Sequence, residues 1–361
     1  MSASFDEEMM QLALREAKRG FTSPNPHVGA VLVKDGKVLS TGFHKQVGLA
    51  HAEVAALEGS LEAAKGATLY VTLEPCNHHG RTQPCTDAII EASIARIVIG
   101  CLDPANRLPS GYERLKQAGL EVELGVCQSE AEELVADFKK HYTTGIPLVT
   151  LKAALSLDGR IATANGQSKW ITGEAARKLA RDKRAETGCV IVGVQTVLAD
   201  DPELNVRDSD APQPLRAVLD PTLKTPPQAK ILSSSPKPCL IFHGPKASIE
   251  NERALLEAGA ELFQIAEDEE GGLKLAEVLE ELGRRDYMHV LIEGGSRVHS
   301  AFMKQKLIDR VMLFIAPILF ADKNAMPLLD VQDTRTMDDV LRLKHSRVTQ
   351  IGEDILLEGA L

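Results

Sequence analysis

Ala67-Thr68-Leu69-Tyr70-Val71-Thr72-Leu73-Glu74-Pro75-Cys76 opens the stretch whose reading decides the fold, and Pro84-Cys85-Thr86-Asp87-Ala88-Ile89-Ile90-Glu91-Ala92 completes it. The apolar run over 67–73 reads as a buried strand stopped by Pro75. Residues 86–92 read as a helix with Pro84 just ahead of its first turn. Cys76 therefore leaves a strand end, and Cys85 stands at a helix start. Unpaired N–H groups and the positive end of the helix dipole favour a thiolate at that second position. Two soft metal ligands thus flank one strand–loop–helix unit.

Upstream, His51-Ala52-Glu53 begins an alanine-rich helical stretch, Ala52 to Ala64. One helix start delivers an imidazole and a carboxylate. Residues two apart do not share a face in mid-helix, but at the first turn both can reach one metal. A structural zinc is normally closed by four Cys or His side chains, whereas a catalytic zinc takes three and keeps a position for water. His51, Cys76 and Cys85 supply three, and Glu53 is the spare carboxylate. That is the set a hydrolytic zinc deaminase needs, with metal to acidify water and Glu to carry protons. Taken singly, a His-x-Glu or a Pro-Cys pair carries no information. Eight residues separate the cysteines here, where many zinc deaminases have two. The insert reads either as a solvated loop or as a substrate loop whose Arg81 meets an anionic group.

At 361 residues the chain is long for a single core, which favours two domains. No apolar run approaches a membrane span, and the first residues, Met1 to Glu8, are acidic where a secretion signal would be basic. Six cysteines without framework spacing point to a reducing, cytoplasmic setting. Cys101, Cys127, Cys189 and Cys239 lie in or beside apolar runs and are expected as buried thiols. A net charge of -10 opposes broad nucleic-acid binding, which depends on neutralising phosphates. An anionic small molecule remains compatible, because a few local Arg and Lys residues suffice for one phosphate.

Along the chain, residues 6–19 read as an amphipathic helix and Val28 to Thr41 as a hairpin turning at Asp35-Gly36. Helices and strands then alternate to Val126, as in a sheet layered with helices. A helical stretch from Ser129 to Thr143 runs into Gly145-Ile146-Pro147, where the domain boundary is placed, giving domains 1–145 and 146–361. The second half starts with a strand, Leu148 to Leu157, and continues through αβ units to Glu293-Gly294-Gly295-Ser296. Val311 to Leu319 and Asp354 to Glu358 look like an antiparallel strand pair. The two glycines at the 293–296 junction would let backbone N–H groups approach a phosphate, though such junctions are often tight turns only.

Taken together, these residues resemble the bifunctional riboflavin-biosynthesis deaminase–reductase family. The first half carries the resemblance in Pro24-Asn25-Pro26-His27-Val28-Gly29, His51-Ala52-Glu53-Val54 and Tyr70 to Cys76 with His79-Gly80-Arg81-Thr82 and Pro84-Cys85. The second carries it in Leu151 to Arg160, Ser168-Lys169-Trp170-Ile171-Thr172, Val197 to Pro202 and Glu293-Gly294-Gly295. The resemblance implies an α/β protein with an N-terminal cytidine-deaminase-like α/β/α domain and a C-terminal dihydrofolate-reductase-like α/β domain. It implies a zinc-dependent deamination followed by NADPH-dependent reduction of a ribosyl chain, on a phosphorylated pyrimidine, in a homo-oligomer (dimer or tetramer).

By the same resemblance, zinc is held by His51, Cys76 and Cys85, and Glu53 is catalytic. Asn25, His44 and Arg81 contact the deaminase substrate. NADPH meets Ala154, Trp170, Thr196, Asp200, Gly295 and Ser296. Ser168, Arg184, Leu204, Arg207 and Glu293 meet the second substrate. Arg184 and Arg207 make chemical sense, since forked guanidinium groups suit a ribose phosphate. Lys152 lies in an apolar strand where an unpaired charge would be costly, so it is expected to point into the site. On residue type alone, Arg184 is equally a solvated helix-end cation and Trp170 a core side chain.

This sequence departs from the family's pattern in three places. Asp103 to Gly111 is one residue shorter than usual, Gln83 replaces a Pro, and Pro317 to Asp322 replaces a Pro-Lys…Gly-Gly turn. Two rival classes follow from the residues alone, a nucleic-acid base deaminase and a noncatalytic zinc-stabilised binding protein. The acidic charge argues against the first and Glu53 against the second.

Overall fold

The computed structural model describes residues 3–79, 83–105, 108–207, 211–331 and 336–361. The chain divides into two compact units, Met1–Gly145 and Ile146–Leu361.

In the first unit α1 (Ala3–Ala17) leads into the hairpin β1 (Gly29–Lys34) and β2 (Lys37–Phe43). Asp35 and Gly36 both have positive φ, as a two-residue hairpin turn of this twist requires. The expected Ala52–Ala64 helix is broken: α2 is Ala52–Leu57 and α3 is Leu61–Ala64, with Gly59 at φ 72° between them. Then come β3 (Thr68–Leu73), α4 (Cys85–Glu91), β4 (Arg96–Cys101), α5 (Gly111–Gln117) and β5 (Glu121–Leu124). The expected 129–143 helix is likewise two, α6 (Gln128–Leu134) and α7 (Ala136–Thr144), parted at Val135.

The sheet order is β2-β1-β3-β4-β5, antiparallel across β2, β1 and β3 and parallel from β3 to β5. Alternate residues of each strand feed different layers, as a period of two demands. Leu32, Leu69, Val71, Ile97 and Ile99 join one cluster, while Val31, Val33, Tyr70 and Val98 join another with Met10 and Ala13 of α1. Both faces of β1, β3 and β4 are therefore covered, and these three strands read as apolar runs, while the edge strands β2 and β5 are largely exposed. Of the thiols expected to be buried, Cys101 is, but Cys127 is only half-buried at the start of α6.

The second unit runs β6 (Leu148–Ser156), β7 (Arg160–Ala162), α8 (Glu174–Thr187), β8 (Gly188–Gly193), α9 (Val194–Asp200), β9 (Leu215–Leu219) and α10 (Lys230–Ser233). It continues with β10 (Leu240–His243), α11 (Ile249–Glu257), β11 (Glu261–Gln264), α12 (Leu275–Arg284), β12 (His289–Ile292), α13 (Ser296–Lys304) and β13 (Arg310–Ala316). β14 (Met326–Pro327), β15 (Lys344–Ile351) and β16 (Asp354–Ala360) complete it.

Its main sheet has the order β11-β10-β9-β8-β12-β6-β13-β16-β15. It is parallel from β11 to β13 and antiparallel beyond. The expected pairing of the last segments is present, Arg310 opposite Ala360, and β15 extends the sheet on the far side of β16. Val149, Leu151, Ile191 and Val290 pack with α12 on one face, and Val190, Val192, Val218 and Ile241 form the other. Cys189 and Cys239 are buried in these layers as expected. Ligand sites in such sheets gather at the carboxyl ends of parallel strands. Here those ends carry Gly193 and Glu293.

Candidate active site

In the first unit, His51 is the N-cap of α2 with extended backbone, φ -71° and ψ 161°. Cys85 is the first residue of α4, and the chain turns at Pro75 to bring Cys76 beside it, with the Cys85 N–H 3.4 Å from Cys76 Sγ. His51 Nδ1 lies 3.2 Å from Cys85 Sγ and 3.5 Å from Cys76 Sγ. All three ligand atoms fall within 4.8 Å of one another. A tetrahedral zinc with bonds of ~2.0–2.3 Å separates its ligands by roughly 3.4–3.8 Å, so the set fits the ion. The Cys76 sulfur is favoured as thiolate, its pKa drawn well below the usual thiol range by its hydrogen bond to Cys85 and then by His51. His51 is pushed upward by that same thiolate. A bound cation favours thiolate at both sulfurs.

Glu53, one residue into α2, is 3 % exposed. Burial first, and the Cys76 charge second, raise its carboxyl to about 7. It lines a cavity of ≈ 320 Å³ together with Asn25, His44, His51, Cys76 and Asp103. His44 Nδ1 faces the Ala50 carbonyl at 3.0 Å, which can only accept, so Nδ1 carries the proton. His44 Nε2 must then accept from Asn25 Nδ2 at 3.0 Å. Burial lowers the His44 pKa and keeps the ring in this neutral form. Asn25 is thereby oriented, its amide nitrogen engaged and its carbonyl oxygen left as the free acceptor. Arg81 lies outside the described residues.

In the second unit the register Ile292 opposite Leu151 puts Glu293 beside Lys152 on the neighbouring strand. Lys152 Nζ reaches Glu293 Oε2 at 3.2 Å, and Arg184 forks onto the same carboxylate at 2.7 and 3.0 Å. Burial works against the charge on Glu293, yet Arg184 and then Lys152 hold its carboxyl at about 2. Arg184 is therefore no solvated helix end. Its Nη1 also donates to the Asn205 carbonyl at 3.1 Å, which ties it to the turn carrying Leu204 and Arg207.

Leu204 is buried with φ 50°, and Arg207 is exposed, paired to Glu203 at 2.8 Å. Trp170 is not a core residue: it is 70 % exposed, with the Arg177 guanidinium 4.5 Å from its ring centroid. Lys169 approaches Asp200 at 3.9 Å, which links the half-buried Ser168 and Trp170 loop to the end of α9, the helix of Thr196. Ala154 is half-buried on β6. Gly295 caps α13, and the space beside its Cα is open, whereas the position of Gly294 is filled by Val298. The Ser296 hydroxyl is buried without a protein partner. A free cradle with an unsatisfied donor at a helix start fits a dinucleotide phosphate.

Comparison with known proteins agrees with both halves. The cytidine and deoxycytidylate deaminase zinc-binding region matches residues 3–101, and the RibD C-terminal domain matches 147–357. The riboflavin biosynthesis protein RibD of Aquifex aeolicus is 43 % identical over 99 % of both chains, and that of Escherichia coli 37 % over 98 % of both. The chain belongs to the RibD family. Among solved structures, RibD of Acinetobacter baumannii matches with a TM-score of 0.85 at 40 % identity, over 99 % of both chains. A Thermotoga maritima protein described as a diaminohydroxyphosphoribosylaminopyrimidine deaminase and 5-amino-6-(5-phosphoribosylamino)uracil reductase matches with a TM-score of 0.84 at 32 % identity, again over 99 % of both.

A RibD chain is a zinc-dependent deaminase joined to a reductase of riboflavin biosynthesis, and the rival classes are not favoured. Sequence reasoning missed two contributors to these sites. Asn205 bridges the Arg184 and Arg207 segments, with Nδ2 3.1 Å from Glu203 Oε2 and Oδ1 3.4 Å from Arg207 Nε. Glu74 lines the deaminase cavity. The signal for Glu74 was present in a charge placed at the end of an otherwise apolar strand.

Proposed function

We propose that residues 1–145 deaminate a ribosylaminopyrimidine phosphate and that residues 146–361 reduce the ribosyl chain of the product to ribityl. The convergence of His51, Cys76 and Cys85 on one point, with the buried Glu53 carboxylate in the same cavity, carries this reading. Zinc on those three ligands supplies a Lewis acid that makes a water acidic near neutral pH. The water oxygen adds to the amino-bearing ring carbon. Glu53 receives the first water proton and passes it to the ring nitrogen. It then takes the hydroxyl proton of the adduct and passes it to the amine, so that the C–N bond breaks, the carbonyl forms and ammonia departs. Asn25, oriented by His44, offers a carbonyl acceptor to the pyrimidine. Arg81 is assigned the phosphate on the resemblance alone.

In the reductase, NADPH supplies the hydride, and the protein supplies position and charge. Gly295 and Ser296 would hold its phosphates, with Ala154, Trp170, Thr196 and Asp200 along its length. Lys152, Arg184 and Glu293 present a fixed set of two cations and one anion to the ribosyl hydroxyls. Arg207 meets the phosphate as a forked donor, with Ser168 and Leu204 as neighbouring walls. Among the described residues no helix is long and apolar enough to cross a membrane. We place the protein in the cytoplasm as a homo-oligomer, dimer or tetramer, acting on a small molecule and not on nucleic acid.

The test is NADPH oxidation by the purified protein given the undeaminated substrate. Reduction there requires prior deamination, so turnover supports both halves. Turnover only with the deaminated compound would remove the deaminase assignment, and silence with both would remove the reductase assignment.

A further inference from the structure

The carboxylate of Glu74 stands between the metal loop and the connection that follows β4. Its own N–H continues the β3 ladder to the Cys101 carbonyl at 2.9 Å. Oε2 accepts the Asp103 N–H at 3.0 Å, while Oε1 accepts the Ser110 hydroxyl at 2.6 Å and the Tyr112 N–H at 2.9 Å. One carboxylate thus binds both ends of the 102–110 connection. Ser110 also caps α5, its oxygen accepting the Glu113 N–H at 3.3 Å. Negative charge at the first turn of that helix adds a favourable interaction with its dipole.

The approach is close. A Cβ at position 111 would lie 1.9 Å from the Pro75 carbonyl oxygen, so only Gly111 lets α5 start against the metal loop. Asn77 makes a second tie, donating to the Pro109 carbonyl at 3.0 Å and accepting from the Thr86 hydroxyl at 2.9 Å. Glu74 and Asp103 both line the cavity that holds His51, Glu53 and Cys76.

We propose that Glu74 is a positioning residue of the deamination step. It fixes Asp103 in the cavity wall and the start of α5 against the Pro75-Cys76 corner, and so sets substrate affinity without carrying a proton. The inference rests on the deaminase reading of this cavity. Its chemistry demands a carboxylate and not merely a side chain of that size. In Glu74→Gln the amide keeps the volume, but in either orientation its NH2 opposes a donor, Asp103 on one side or Ser110 and Tyr112 on the other. Glu74→Ala releases both ends.

The experiment measures ammonia release by the zinc-loaded full chain, with zinc content and NADPH oxidation on the deaminated substrate as controls. KM for deamination is expected to rise about five-fold in Glu74→Gln and about thirty-fold in Glu74→Ala, the scale of losing one and then more charge-assisted hydrogen bonds. The kcat should stay within about two-fold, because the interaction acts on binding. If Glu74→Ala does not fold, Glu74→Gln alone carries the test. An unchanged KM in folded Glu74→Gln overturns the inference, and so does a fall in kcat accompanied by zinc loss. Absence of ammonia release in the unaltered protein would instead sink the deaminase reading, and the inference with it.

Discussion

Glu53 is the residue to which we assign the proton transfers of deamination, and its surroundings support that assignment. A carboxylate that is 3 % exposed, without the Lys and Arg ion pairs that pin Glu293 among the described residues, has a high free energy as an anion. Such a group is retained for proton traffic more readily than for stability. Replacing it tests the role directly. Glu53→Ala should lower ammonia release by about a thousand-fold or more, the upper range for one general acid–base group. Zinc, measured by metal analysis, should stay bound, because none of its ligands is touched. Deamination that survived would remove Glu53 from the mechanism.

The His51, Cys76, Cys85 and Glu53 set was legible in the sequence because each member sits at an element boundary marked by Pro or by a change of periodicity. The Lys152 partner was not. Strand pairing between β6 and β12 joins positions 141 residues apart, and no local pattern encodes that register. Residue type alone could not separate a core Trp170 from the exposed one that the resemblance implied, since exposure is a property of the assembled loop.

At the scale of elements, the β12–α13 junction sets a packed glycine beside one with open space, the one proposed to meet a phosphate. Both Gly294 and Gly295 look alike in the sequence. In the fold a Cβ on Gly294 would stand 2.6 Å from Val298 Cβ, whereas one on Gly295 would meet nothing within 4 Å. Gly294→Ala should therefore destabilise the unit by about 1–3 kcal/mol through overpacking, visible as a lowered melting temperature. Gly295→Ala should leave melting nearly unchanged but raise KM for NADPH by about ten-fold, because its methyl group enters space that a phosphate would use. Equal effects at the two positions would contradict the phosphate cradle.

The broken helices teach a related lesson about legibility. Alanine-rich composition favours helix across 52–64, but Glu58 turns extended (ψ 127°) and Gly59 takes positive φ, a type II turn closed by Ser60 N–H to the Leu57 carbonyl that ends α2 after six residues. Composition gave the correct type there, and the stopping point depended on a two-residue turn that needs a glycine. Much of the element order was readable from alternating patterns. The strand β15 was missed because its residues are largely exposed and show little apolar alternation.

For the whole molecule, the placement of side chains makes the two chemistries separable. The metal ligands and Glu53 all belong to Met1–Gly145, while Lys152, Arg184, Arg207 and Glu293 all belong to Ile146–Leu361. Each unit has its own apolar layers. Loss of one chemistry therefore need not propagate to the other. Chelating the zinc should abolish ammonia release yet leave NADPH oxidation on the deaminated substrate intact. Arg207→Ala should do the reverse, raising KM for the reductase substrate by about ten-fold or more, as expected for a lost phosphate contact, with ammonia release unchanged. The Glu203 partner of Arg207 makes the second arm sharper. In the free protein that carboxylate already occupies the guanidinium, so the variant would remove the proposed phosphate contact without leaving a buried charge behind: Glu203 is about one-third exposed and can return to water. If instead both activities fell together, in either arm, the units would be coupled or the variant misfolded. Circular dichroism on Arg207→Ala distinguishes those two cases, and a folded protein with both activities lost would refute the division of labour argued from the sequence and the fold.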